Sequence, residues 1–191
     1  MKIGLFFGSF NPIHNGHLII ANYVCEITDL DKVWFVVSPQ NPLKEKETLL
    51  REYDRLHLIN LAIEDNKNLK ASNIELKLPK PSYTIDTLVH LKEKYPQHEF
   101  ALIMGSDNLV TIYKWKNYQL ILKDYPIYVY NRRGAEKNPY PENENIRVFE
   151  FPFLDISATF IRENLKNGIS MQYFLPEPVW KYIDEIKLYR Q

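Results

Sequence analysis

A single cysteine, Cys25, stands in this chain of 191 residues, so an intrachain disulfide framework is excluded and a reducing compartment is expected. Net charge is missing too. With 24 basic side chains against 24 acidic ones, the chain offers no global positive field for nucleic acid and no acidic solvating tail. Any anion site must be a local feature. No apolar run approaches the roughly 18 to 20 residues of a membrane span, and Lys2 leads into strand-like residues with no signal-peptide pattern. The expected setting is the cytoplasm, with neither membrane nor nucleic acid as a partner. Repeats and low-complexity tracts are lacking, as are the G-x-G-x-x-G and G-x-x-x-x-G-K-[ST] phosphate signatures.

What is present is an ordinary globular composition, 45% hydrophobic and 25% charged, long enough for one sizeable core and short for two. One domain over residues 1–191 is expected. Residues 3–7 (IGLFF) form an apolar run without alternation, as a strand buried on both faces does, followed by turn residues and then by a helical pattern from Gly16. In that helix Leu18, Ala21 and Cys25 share a face. "KVWFVVSPQNP" gives a second strand ending at Ser38, and residues 50–64 a helix carrying Leu56, Ile59, Leu61 and Ile63. Residues 69–76 read as a weaker strand, "SYTIDTLVHLKEKYP" as a helix with Ile85, Leu88, Val89 and Tyr95 inward, and "EFALIMGSD" as a buried strand running into a loop. A short helix (NYQLILKDYP), a strand (IYVYNRR), an exposed loop (GAEKNPYPENEN) and another strand (IRVFEF) follow. "ISATFIRENLKNG" has Ser157 as N-cap and Gly168 as terminator, and a last helix starts at the prolines of "PEPVWKYIDEIKLY". The alternation predicts an α/β fold: an open, Rossmann-like, doubly wound parallel sheet.

Ligands of such sheets bind beyond the carboxyl ends of the strands, where the strand order reverses. The loops expected there hold Ser9, His14 and His17; Asn41 and Lys44; Gly105, Ser106 and Asp107; and Ser157, Thr159 and Arg162. In "GSFNPIHNGH" a helix N-terminus supplies free N–H groups and a positive dipole end, which favours an anion. His14 and His17 add two directional donors there, and Gly16 removes a side chain that would crowd them. Zinc is excluded, because Cys25 lies eight residues beyond His17, about 12 Å along the helix, with no third ligand near. Arg162 falls in the first turns of its helix, where the dipole disfavours a cation unless an anion is bound. Asp107 reads equally as a helix cap or as a ligand to Mg²⁺ or a sugar hydroxyl, and Trp115 equally as an aromatic platform or a partly buried surface residue. His57, His90 and His98 stand alone and read as structural.

"GSFNPIHNGH" followed far downstream by "ISATFIR" resembles the [HT]-x-G-H nucleotidyltransferase superfamily, and "SYTIDTL", "GSD" and Trp115 are similar to nicotinate-mononucleotide adenylyltransferases within it. The resemblance covers nearly the whole chain. It implies that the 5′-phosphate of nicotinate mononucleotide attacks the α-phosphorus of ATP, with Mg²⁺, giving nicotinate adenine dinucleotide and pyrophosphate, a step of NAD biosynthesis. It implies that His14, His17, Lys44 and Arg162 serve the triphosphate, and that Gly8, Ser9, Phe10, Ser157 and Thr159 line the substrates. Thr84 and Trp115 match the residues receiving the pyridine ring, and Gly105 and Asp107 the element near the mononucleotide ribose. Phe7-Gly8 stands where the family often has Gly-Gly, Asn11 where Asp is common, and no histidine accompanies Lys44. ATP and nicotinate mononucleotide are the implied partners, with a homo-oligomer left open.

Three other readings meet objections in the sequence. Phosphopantetheine adenylyltransferases share the phosphate motifs but are usually shorter and lack the "SYTIDTL" and tryptophan combination. Cytidylyltransferases are disfavoured similarly. A non-catalytic nucleotide-binding module is expected to have lost a phosphate residue, whereas all four are present.

Overall fold

The structure is a computed structural model that describes residues 1–39, 49–131, 138–150, 152 and 155–190. Strands β1 (Lys2–Gly8), β2 (Lys32–Val37), β3 (Leu69–Ser72), β4 (Glu99–Gly105), β5 (Ile127–Tyr130) and β6 (Ile146–Phe149) form one sheet. Every pairing is parallel and the order is β3-β2-β1-β4-β5-β6. The doubly wound parallel sheet expected from the apolar runs is therefore present. Its order reverses between β1 and β4, which places the crevice beside the Gly8 and Gly105 ends of those strands.

Side-chain alternation sorts the core into two layers. On one face Phe6, Val33, Phe35, Val37, Ala101 and Ile103 pack under helices α1 (Asn15–Ile27), α2 (Glu52–Ala62), α6 (Ala158–Lys166) and α7 (Glu177–Glu185). On the other, Ile3, Leu5, Trp34, Val36, Leu102 and Met104 pack under α3 (Thr84–Lys94), α4 (Ser106–Thr111) and α5 (Tyr118–Asp124). Strands covered on both sides need no polar face, which is why β1, β2 and β4 read as unbroken apolar runs.

Several local expectations need correction. The buried face of α1 is Gly16, Ile20, Ala21, Val24 and Cys25, while Ile19, Tyr23 and Ile27 are exposed. In α3, Leu91 faces inward and Val89 outward. The strand expected over 69–76 stops at Ser72 and continues as a short 3₁₀ turn, Ile74–Lys77. Consecutive Ile74 and Glu75 are both buried in that turn. β4 runs directly into α4 with Gly105 as N-cap, without an intervening loop. Lys44 and Asn41 lie outside the described residues.

Candidate active site

His14 is the N-cap of α1 and is buried, while its ring stacks on His17 with centroids 3.6 Å apart and planes 25° from parallel. The His14 backbone N–H donates to His17 Nδ1 at 3.3 Å. An acceptor at Nδ1 leaves the neutral ring's proton on Nε2, so His17 presents an N–H donor from its far side. Gly16 permits the stacking. A Cβ at position 16 would sit 3.0 Å from His14 Nδ1 and 3.1 Å from its Cε1, and 3.5 Å from Ile156 Cβ.

Ile156 immediately precedes Ser157, so the start of α6 lies against the start of α1. Ser157 caps α6 as expected, its hydroxyl accepting the Phe160 N–H at 3.2 Å. Arg162 then reaches across, donating from Nη1 to the Asn11 carbonyl at 2.8 Å and from Nη2 to Thr159 Oγ1 at 3.3 Å. Residues separated by about 150 positions in sequence thus meet at one loop. The arrangement combines a guanidinium, two stacked imidazoles and two helix N-termini, all suited to phosphate oxygens.

Phe10 turns its side chain into the core. Its ring is buried against Phe6, Phe35 and His17, with the His17 centroid 5.0 Å away, and it lies over Gly8, where a Cβ would come within 2.8 Å of it. Its backbone has φ 46°, a left-handed conformation unusual for a residue with a side chain. Any contact from Phe10 to a ligand is through its main chain; its side chain instead walls the imidazole of His17.

Arg55 is a residue whose part the sequence reading missed. It is fully buried on α2, donating from Nε to the Leu50 carbonyl at 3.1 Å, from Nη1 to the carbonyls of Ser9 and of Ser38 (2.9 Å), and from Nη2 towards that of Pro39 at 3.5 Å. It ties the loop after β1 to both sides of the segment carrying Lys44. Burial lowers its pKa. The signal was available: Arg55 shares with Leu58, Ile59 and Ala62 the i, i+3, i+4, i+7 spacing of one helix face.

The second half of the site surrounds the other strand ends. Gly105 and Ser106 are buried at the end of β4, next to β1, and Asp107 is exposed in the first turn of α4. Trp115, read equally as an aromatic platform or a partly buried surface residue, is partly buried against the second core layer. Its neighbour Lys116 bonds Asp86 at 2.8 Å and lies 4.9 Å from the Tyr83 ring centroid. Tyr83 and Asp86 flank Thr84, so the Trp115 segment and the start of α3 are adjacent. The lone histidines are in ordinary packing: His57 edges on Tyr182 and His98 stacks on Tyr95.

Comparison with known proteins gives concordant results. The cytidylyltransferase-like family model matches residues 5–164. A Flavobacterium psychrophilum protein named probable nicotinate-nucleotide adenylyltransferase is 55% identical, with both chains covered over 100% of their lengths. A Cytophaga hutchinsonii protein of the same name is 51% identical over 99% of this chain and 98% of its own. Among solved structures, the Plasmodium falciparum nicotinic acid mononucleotide adenylyltransferase complexed with NaAD superposes with TM-score 0.81 at 18% identity, over 98% of this chain and 97% of that one.

Proposed function

Because the chain belongs to the nicotinate-nucleotide adenylyltransferases of the cytidylyltransferase-like family, we propose that the site at its β1 and β4 strand ends carries that reaction. The enzyme transfers the adenylyl group of ATP to nicotinate mononucleotide, forming nicotinate adenine dinucleotide and pyrophosphate in NAD biosynthesis. An oxygen of the mononucleotide 5′-phosphate forms a bond to the α-phosphorus, and the bond from that phosphorus to the α,β-bridging oxygen breaks. The pair of electrons leaves with pyrophosphate.

Such a transfer needs no nucleophilic side chain; it needs alignment and charge neutralisation. The observation that carries the residue assignment is the stacked His14–His17 pair with Arg162 fixed on the Asn11 carbonyl beside it. His17 Nε2–H, His14, Arg162 and the N–H groups opening α1 would hold the triphosphate and the charge that grows on the leaving oxygen. Lys44 belongs to the same proposal but lies outside the described residues. Gly8, Ser9, the Phe10 main chain, Ser157 and Thr159 line this half; Gly105, Asp107, Thr84 and Trp115 line the mononucleotide half, with Trp115 stacking on the electron-poor pyridine.

Among the described residues no three His, Cys, Asp or Glu side chains converge as a metal cage. Mg²⁺ belongs to the adenylyl-transfer reading, where, carried by the nucleotide's own oxygens and waters, it would shield phosphate charge. A single domain over residues 1–191 and a cytoplasmic setting are part of the same reading, and among the described residues no helix is long and apolar enough to cross a membrane.

The test is pyrophosphate release from ATP and Mg²⁺ with nicotinate mononucleotide, nicotinamide mononucleotide or phosphopantetheine as acceptor at equal concentration. Strong preference for nicotinate mononucleotide supports the assignment. Release with phosphopantetheine alone would keep the phosphate argument and discard the acceptor, and no release with any would favour a binding module.

A further inference from the structure

Beyond Glu185, where α7 ends, the chain turns back upon the site. Lys187 and Tyr189 adopt left-handed backbone angles, φ 53° and 67°, which residues with side chains take only when their surroundings impose them. The Leu188 N–H returns to the Ile183 carbonyl at 3.0 Å, Arg190 pairs with Asp184, and Leu188 and Tyr189 pack against the core layer under α1 and α2. These contacts form a hook. At its tip the Tyr189 hydroxyl donates to Asn11 Oδ1 at 2.8 Å, across 178 positions of sequence.

Asn11 is the junction of the phosphate side. The same Oδ1 accepts the Leu50 N–H at 3.4 Å, at the end of the segment that carries Lys44, and the Asn11 backbone carbonyl accepts Arg162 Nη1 at 2.8 Å. Burial pushes the Tyr189 hydroxyl's pKa well up, so it remains a neutral donor in this position. Arg55, which bonds the Ser9 and Leu50 carbonyls, supports the same loop from beneath.

We propose that Tyr189 is a positioning residue of the triphosphate site, holding the Asn11 side chain so that the neighbouring carbonyl orients Arg162 towards ATP. The inference rests on the adenylyl-transfer reading and deepens it. Tyr189 touches neither substrate. Its effect passes through Asn11 and Arg162, and so falls on ATP and spares the acceptor.

The experiment is Tyr189→Phe, which keeps the ring and removes only the donor, with KM measured for each substrate by pyrophosphate release while the other is saturating. The KM for ATP is expected to rise about tenfold, the loss of one well-made hydrogen bond, and the KM for nicotinate mononucleotide to change less than about twofold. In an Arg162→Lys background the same substitution should add less than about twofold, because the oriented group is already lost. Equal changes in both KM values, or a full additional tenfold effect in the Arg162→Lys background, would overturn the proposal. Calorimetric titration with a non-hydrolysable ATP analogue, normalised to folded protein, gives a second reading if the variant folds poorly; wild-type affinity there overturns it too. Should the wild-type enzyme release no pyrophosphate with any acceptor, the reaction is refuted, and the analogue titration still decides the claim about Tyr189.

Discussion

Substituting Gly16 by Ala probes the histidine pair without removing either imidazole. The new Cβ would lie 3.0 Å from His14 Nδ1 and 3.1 Å from its Cε1. His14 cannot simply swing away, because it is 4% exposed and stacked 3.6 Å from His17, and the new Cβ also meets Ile156 Cβ at 3.5 Å. Alanine favours the helix by up to about 1 kcal/mol, and overpacking costs about 1–3 kcal/mol. The expected net loss is therefore about 0 to 3 kcal/mol, which for a chain of this size lowers Tm by less than about 12 °C. Activity should suffer more. A displacement of a few tenths of an ångström in a group aligned on the reacting phosphates is expected to lower kcat about tenfold, given roughly a hundredfold for 1 Å. Steady-state pyrophosphate release and thermal unfolding measured on one preparation separate the two effects. Wild-type kcat together with a raised Tm would show that position 16 acts only through helix propensity, and the steric argument would fail.

Trp115→Ala should raise the KM for nicotinate mononucleotide far more than that for ATP; equal increases would remove the tryptophan from the pyridine site. Arg55→Met leaves the Ser9, Ser38 and Leu50 carbonyls without their buried donor, at an expected cost on the order of 3 kcal/mol, or roughly 6–12 °C in Tm. An unchanged Tm in differential scanning calorimetry would contradict the clamp. Glu75 is buried and accepts the Thr87 hydroxyl at 2.8 Å, and its burial raises the carboxyl's pKa above 4.5. The folded protein thus keeps a proton that the unfolded chain releases, so this contribution is intact below pH 4.5 and lost as pH rises through the folded value. Glu75→Gln, which stays neutral and can still accept from Thr87, should gain stability relative to the parent as pH rises above 4.5; a difference independent of pH in unfolding titrations would refute this.

Whatever depends on neighbours in sequence was legible. The apolar runs of β1, β2 and β4 announce strands covered on both faces, and Ser157 and Gly168 bracket α6 where cap and left-handed terminator are needed. His14, Gly16 and His17 were legible for the same reason, since their geometry is set within one turn of helix. Helix phase was harder: in α1 apolar residues outnumber buried positions, and in α3 Thr87 takes a buried position, so Ile19, Tyr23 and Val89 face outward although composition alone would bury them. The turn at Ile74–Lys77 escaped because its buried Glu75 looks like a polar strand position until Thr87 is known to meet it. Arg55, with its apolar helix spacing, could have been found. Tyr189 could not, because nothing local connects it with Asn11.

The most direct test of the account is the turnover of His17→Ala with ATP, Mg²⁺ and nicotinate mononucleotide at saturation, on protein whose folding is verified by its unfolding transition. Loss of one donor to the developing charge, worth about 3 to 4 kcal/mol, predicts a kcat lower by at least about a hundredfold. Near-wild-type turnover would contradict the claim that the stacked histidines at the start of α1 carry the chemistry.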